Sequence, residues 1–158
     1  MPDDLTYRQA TVADVASMGD CRHSDPAAGP ADARMTAYFE GTHDPQQALP
    51  RRVGFVAEER GRIVGYIAGH QTTRFDCDGE VQYLFVAPHC RERGVASVLL
   101  RALAAWFQDH GVIKVCVDVD LSSPGATPFY LHHGAVPINR FWYMWTDIGR
   151  VLDTTSRR

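Results

Sequence analysis

The sequence predicts a mixed α/β fold on a mostly antiparallel sheet, and three observations predict it. Residues 53–86 hold three strand-like stretches separated by Glu59-Arg60-Gly61 and Asp76-Cys77-Asp78-Gly79, turn formers that make an antiparallel meander. The third stretch, Glu80 to Val86, leads through Ala87-Pro88 and a short loop into a helix. There Val95, Val98, Leu99, Ala102, Leu103, Trp106 and Phe107 recur at three- and four-residue spacing, one apolar stripe facing a sheet. Alternation resumes at Ile113–Val119, and a strand–helix–strand run implies a right-handed crossover and a parallel pair.

Taken in order, Leu5–Ala10 alternates and predicts a first strand. Thr11-Val12-Ala13-Asp14 offers an N-cap with an acid three residues on, opening a helix that fades near Cys21-Arg22-His23. Residues 24–30 form a loop by composition, and Ala31–Glu40 a second helix that Gly41 stops. A helical turn and then a break are expected over His43–Pro50. Strands follow at Val53–Glu58, Arg62–Gln71 and Glu80–Val86, where Pro88 ends the ladder for want of an N–H. After Ile113–Val119 comes a short helix within Ser123–His133, closed by Gly134. Pro128 suggests that this helix begins there, with Thr127 as its cap. Ala135–Thr146 supplies aromatic-rich final strand material, with Tyr143 and Trp145 on one face and Trp142 on the other.

The junction at residues 86–97 carries the chemistry. A strand, a loop with Gly94 and a helix N-terminus present successive backbone N–H groups with the positive end of the helix dipole behind them, a site for phosphate. A dinucleotide fingerprint needs three spaced glycines, and a phosphate-binding loop of the G-K-[ST] type needs its lysine. Neither pattern is present. The bland alternative is a generic strand-to-helix turn.

Val86-Ala87-Pro88-His89-Cys90-Arg91-Glu92-Arg93-Gly94-Val95-Ala96-Ser97 resembles the acyl-CoA signature Q/R-x-x-G-x-G/A of the GNAT superfamily of N-acetyltransferases, with Arg91, Gly94 and Ala96 at its specified positions. Downstream, Ser123-Pro124-Gly125-Ala126 through Tyr130 to Gly134 resembles the family's N-P-G-A-x-x-x-Y-x-x-x-G helix. Ser123, Pro128 and Ala135 depart from that pattern. The resemblance covers about residues 53–147. It implies a single N-acetyltransferase domain over 1–158, a sheet that splays between its fourth and fifth strands with helices on both faces, and acetyl-CoA as cosubstrate. It also implies that the Leu84-Phe85-Val86 backbone meets the pantetheine arm. Glu92, Arg93, Gly94, Val95, Ala96 and Ser97 would offer N–H groups to the pyrophosphate, with added charge from Arg91, and Ser123 joins the cofactor set.

Acyl transfer to an amine needs a base, because a lysine-like amine titrates near pH 10.4, and an acid for the departing thiolate. Glu80 is the candidate base, at a position where several members of the family carry a glutamate that works through a water. Its bland alternative is a solvated strand-end carboxylate. Asp118 and Asp120 are reserves. Tyr130 is the candidate acid, since a phenol keeps its proton at pH 7. The alternative is a core tyrosine. His132 and His133 are the fallback proton donors. The enzyme reading competes with a non-catalytic acyl-CoA sensor or scaffold of the same fold.

A net charge of −3 with no Lys/Arg run argues against nucleic acid, and no apolar run approaches a membrane span. The start lacks a signal-peptide pattern. Cys21, Cys77, Cys90 and Cys116 form no C-x-x-C pair and read as reduced thiols, which points to the cytoplasm. Adjacent His132 and His133 cannot share a helix face, so no metal is expected. The partner is a small-molecule or peptide amine. Acidic Asp20, Asp25, Asp32 and Glu40 could favour a cationic one, and the short C-terminal strands allow a homodimer.

Overall fold

The computed structural model describes residues 4–25 and 33–153. The start of the expected second helix and Asp32 lie outside them. Seven strands form one sheet in the order β1-β2-β3-β4-β5-β7-β6. They are β1 (Leu5–Gln9), β2 (Ala48–Glu59), β3 (Arg62–Thr72), β4 (Gly79–Val86), β5 (Val115–Asp118), β6 (Val136–Pro137) and β7 (Trp142–Trp145). The helices are α1 (Val15–His23), α2 (Ala33–Glu40), α3 (Val95–Asp109) and α4 (Ala126–His132). A mixed sheet, mostly antiparallel, is therefore present as expected, with β4 and β5 the one parallel pair among the described residues.

Local chemistry explains most boundaries. The Asp14 carboxylate accepts from the Thr11 N–H at 2.7 Å and starts a 3₁₀ turn that runs into α1. Arg60 and Gly61, both at positive φ, turn the chain between paired Glu59 and Arg62. Two expectations fail. No helical turn forms over His43–Pro50: β2 starts at Ala48, because Ala48 pairs with Thr72 across an irregular stretch of the β2–β3 ladder. Pro128 does not open α4, which begins at Ala126. A proline in the first turn gives up an N–H that had no partner there anyway.

Side-chain alternation sorts the two faces of the sheet. Gly65, Gly69 and Gly79 lie under α3: a Cβ on Gly79 would come within 2.6 Å of Phe107, and one on Gly69 within 3.0 Å of Leu103. The missing side chains let α3 sit close, with Leu99, Leu100, Leu103 and Phe107 fully buried. Each such burial contributes about 1.5–3 kcal/mol. His70 and Glu80, one residue further along, point to the opposite face, where Tyr38 of α2 meets His70 and Tyr83. Helices thus cover both faces.

β4 and β5 pair only from Gly79/Val115 to Val81/Val117. Beyond this, β4 continues to Val86 while β5 ends at Asp118, so the strands part. The parting coincides with a bulge: Ala68 pairs with Tyr83 and Gly69 with Val81, leaving Gln82 over.

Candidate active site

The opening between β4 and β5 leaves the edge of β4 from Gln82 to Val86 without a strand partner on its β5 side among the described residues. Inside the bulge, the buried Gln82 Oε1 has no hydrogen-bond partner. At the far end of this edge the loop turns through Glu92 and Gly94, at φ 63° and 81°. The first intrahelical bond of α3 runs from the Val98 N–H to the Gly94 carbonyl at 3.1 Å. The N–H groups of Val95, Ala96 and Ser97 therefore have no acceptor within the helix. Nothing lies within 4 Å of where a Gly94 Cβ would be. An extended chain with polar groups could lie on the β4 edge, with an anion held by the loop. These residues fit an acyl-CoA.

Side chains of the signature serve the protein itself. Arg91 donates to the Val86 carbonyl at 2.8 Å and to Asp25 at 2.8 Å, and its guanidinium lies over Phe85. Arg93 pairs with Glu59 at 3.0 Å. Ser97 Oγ meets His133 Nε2 at 2.9 Å, which ties α3 to the end of α4. An anion held by the loop would therefore meet backbone groups, and Arg91, expected to add charge there, is instead engaged with Val86 and Asp25 and braces the loop. Glu59, His89 and Cys90 bring ligand atoms within 4.8 Å of one another, yet the Arg93 guanidinium already contacts Glu59 and Cys90. Ser123 is exposed in the turn before α4.

Glu80 is no solvated strand end. It is 3% exposed, and its Oε1 stands 3.2 Å from Arg74 Nε and 3.4 Å from His70 Nε2. None of these three buried atoms has a hydrogen bond of good geometry. His70 is fully buried, and its Nδ1 lies 2.9 Å from the Tyr38 hydroxyl. Burial pushes the Tyr38 phenol far above its usual range, so it remains protonated. A proton donated by Tyr38 to Nδ1 leaves the hydrogen of neutral His70 on Nε2, facing the carboxylate; the other tautomer would aim a lone pair at it. Arg74 lies over the Trp142 ring at 4.7 Å, and Phe75 packs on the same ring.

Asp118 ends β5 on the same face, opposite Trp142. Burial, and after it the charge of Glu80, raises its pKa. Tyr130 of α4 is buried with its ring edge-on to Trp145, and burial followed by the nearby Asp118 charge holds its phenol above the ordinary range. Asp120 is engaged elsewhere: its Oδ1 accepts from the Ser122 N–H and hydroxyl. His133 is buried behind Ser97, and its carbonyl accepts from Trp145 Nε1 at 2.9 Å.

Glu80, Asp118 and Tyr130 thus share one electrostatic neighbourhood. Tyr38, His70 and Arg74 are site residues that sequence reasoning missed. One signal was available: His70 continues the i, i+2 series Val64, Tyr66, Ala68 and is a polar residue on a buried face.

Comparison with known proteins agrees with this fold. The profile of the acetyltransferase (GNAT) family matches residues 22–135. No curated protein matches the chain by sequence. An acetyltransferase from Thermus thermophilus superposes with a TM-score of 0.70 at 18% identity, covering 89% of this chain and 95% of that one. An N-acetyltransferase from Thermoplasma acidophilum, solved with coenzyme A, gives 0.65 at 13% identity, covering 92% and 99%. A spermidine/spermine N-acetyltransferase from Vibrio cholerae gives 0.65 at 17% identity, covering 96% and 99%. With its profile match spanning most of the molecule and its sheet parting at β4 and β5, the chain belongs to the GNAT family of acetyltransferases.

Proposed function

We propose that this protein is an acetyl-CoA-dependent N-acetyltransferase that moves the acetyl group directly to a primary amine while both substrates are bound. The observation that carries the proposal is the unpaired β4 edge, Gln82–Val86, running to the free N–H groups of Val95–Ser97. The coenzyme A held by the structural neighbour from Thermoplasma acidophilum supports the choice of ligand. Acetyl-CoA would supply an activated thioester.

The chain's own residues would do the rest. The β4 backbone orients the acyl arm, and the loop N–H groups hold the pyrophosphate. Glu80, buried beside His70, takes a proton that starts on the attacking amine, directly or through a water. Tyr130, kept protonated by burial and Asp118, gives a proton to the departing sulfur. A buried carboxylate facing a cationic partner is also consistent with a pocket that binds without turnover, so the test must separate the two.

Thiol release from acetyl-CoA, followed over a panel of primary amines, provides it. Intersecting initial-velocity lines with an amine that is turned over are expected. Parallel lines would sink direct transfer. Tight acetyl-CoA binding with no release for any amine would leave a sensor.

A further inference from the structure

We propose that the position of the Arg74 guanidinium is the subsite for the acceptor's ammonium group, so that the acceptor is a cationic primary amine that displaces Arg74. The inference rests on the acetyltransferase reading and names its acceptor class. The site is built for a cation. Glu80 supplies a buried carboxylate whose Oε1 makes no hydrogen bond. Trp142 presents a ring face with the guanidinium carbon 4.7 Å from its centre, the geometry of a cation–π contact. Asp118, whose register partner is Trp142, is close enough that Arg74 and Glu80 both act on its charge. One carboxylate and an indole face border the resident cation, with the end of β5 at Asp118 paired to Trp142.

That cation is poorly held. Arg74 Nε is buried 3.2 Å from Glu80 yet out of line for a hydrogen bond, and the Nη2 group is spent on the Gln46 carbonyl at 3.0 Å. The following residues, Phe75 and Asp76, are non-glycine residues at φ 56° and 57°, a left-handed pair that side chains disfavour. Phe75, 41% exposed, packs against Trp142 with ring centres 5.1 Å apart. The Arg74 side chain is 19% exposed and that of Glu80 4%, so the arginine is the more accessible member of the pair. An amine bound against both Glu80 Oε1 and the Trp142 ring would take this place. An ammonium is smaller than a guanidinium and can present three donors to a carboxylate that Arg74 serves badly. Once there, the amine has its base beside it.

The test uses the full chain, with n-butylamine as a purely cationic probe and 4-aminobutyrate as one that also carries a carboxylate. Binding is read from tryptophan emission, with Trp142→Phe as the control that assigns the signal, and turnover is read by thiol release. Arg74→Met keeps the bulk of the side chain and removes its charge. It is expected to bind n-butylamine at least ten-fold more tightly than the parent protein and to raise kcat/KM for it at least five-fold. Adding Glu80→Gln should abolish the gain in binding. If Arg74→Met fails to melt cooperatively, Arg74→Gln retains an NH₂ group for the Gln46 carbonyl and takes its place.

An unchanged n-butylamine affinity in the charge-removed protein overturns the proposal. So does a selective loss of kcat/KM for 4-aminobutyrate, which would make Arg74 a carboxylate reader. The emission signal needs no turnover, so tighter n-butylamine binding without thiol release supports the subsite while the acetyltransferase reading fails. Tighter binding with a kcat that survives Glu80→Gln supports the subsite while Glu80 loses its role as base.

Discussion

His70 Nε2 stands 3.4 Å from Glu80 Oε1, with neither group exposed to any useful extent and the other ring nitrogen of His70 held by Tyr38 at 2.9 Å. The two residues pair across β3 and β4, so the backbone ladder fixes their separation. His70 touches no reacting atom and is a positioning residue. His70→Leu leaves the carboxylate without its neighbour and free to change rotamer. Small misplacements of catalytic groups cost up to about 100-fold, and kcat is expected to fall by about 10- to 100-fold. Acetyl-CoA affinity should hold. His70→Gln, which returns a side-chain N–H toward Glu80, should recover part of the loss. Equal kcat in the Leu and Gln variants, both correctly folded, would show that His70 only fills space.

Two glycines separate binding from packing. Gly94 has open space at its missing Cβ but a φ of 81°, so Gly94→Glu adds bulk and negative charge at the anion site together with left-handed strain of about 1–2 kcal/mol. Acetyl-CoA at 100 times its Kd should raise the Tm of the parent by about 5–10 °C, from about 2.7 kcal/mol of linkage at about 2–4 °C per kcal/mol. The variant should barely move. Gly69→Ala does the opposite: its Cβ would meet the Glu80 carbonyl oxygen at 2.8 Å and Leu103 at 3.0 Å. Overpacking of this kind costs about 1–3 kcal/mol. The Tm should fall, while the ligand-induced rise should persist in whatever protein folds. An equal rise in parent and Gly94→Glu would place the pyrophosphate elsewhere.

These residues also mark what the sequence could disclose. Gly94, Ala96 and Tyr130 are legible because the signature is local: the residues that shape the loop and start the helix are neighbours in the chain. The meander and the crossover are legible for the same reason, since turn chemistry and periodicity are short-range. The column of Tyr38, His70, Glu80 and Arg74 is not. It joins α2, β3, a 3₁₀ turn and β4, and only strand register and helix docking bring them together. The extended start of β2 at Ala48 was hidden likewise, because its pairing with Thr72 interrupts the regular alternation. Cys77 and Cys116, far apart in sequence, become buried neighbours by the same route.

Acid stability tests the hinge between β1 and α1. Asp14 accepts from Arg8 through both carboxylate oxygens, at 2.7 and 2.9 Å, and from the Thr11 N–H. The Arg8 hydrogen bonds, with the Thr11 N–H adding to them, lower its pKa to about 2. The folded-state value lies below the unfolded one, near 3.9. The stabilisation is therefore complete above about pH 4 and is lost as pH falls from about 4 through 2. Asp14→Asn should lower the Tm at pH 7 and have a shrinking effect below pH 4, with the two proteins converging near pH 2. A constant difference in Tm across that range would mean the carboxylate's charge is not what matters.

Tyr130 tests the chemistry most directly. Its ring lies edge-on to Trp145 and Phe129, contacts that Tyr130→Phe keeps, and its hydroxyl makes no hydrogen bond to any described residue. Removing the oxygen should therefore cost little stability. If the hydroxyl protonates the leaving sulfur, that interaction grows only as the C–S bond breaks, so its loss lowers kcat and leaves acetyl-CoA affinity intact. General acid catalysis contributes on the order of 10²–10⁴-fold, and the low end applies where water can substitute. Burial and the Asp118 charge hold the phenol's pKa up, so it keeps its proton well above neutral pH. The activity lost in Tyr130→Phe should accordingly be lost evenly from pH 6 to 9. Asp118→Asn, which removes the lesser of the two causes, should make the phenol easier to ionise while burial still keeps it protonated, so the loss in Tyr130→Phe should stay even from pH 6 to 9 in that background too. A melting curve, steady-state kinetics and acetyl-CoA titration on the same purified variants read all of this. Unaltered kcat in Tyr130→Phe on a good amine would take Tyr130 out of the mechanism. His133 cannot readily replace it, because it is buried behind Ser97, so the proton would have to come from water or from His132.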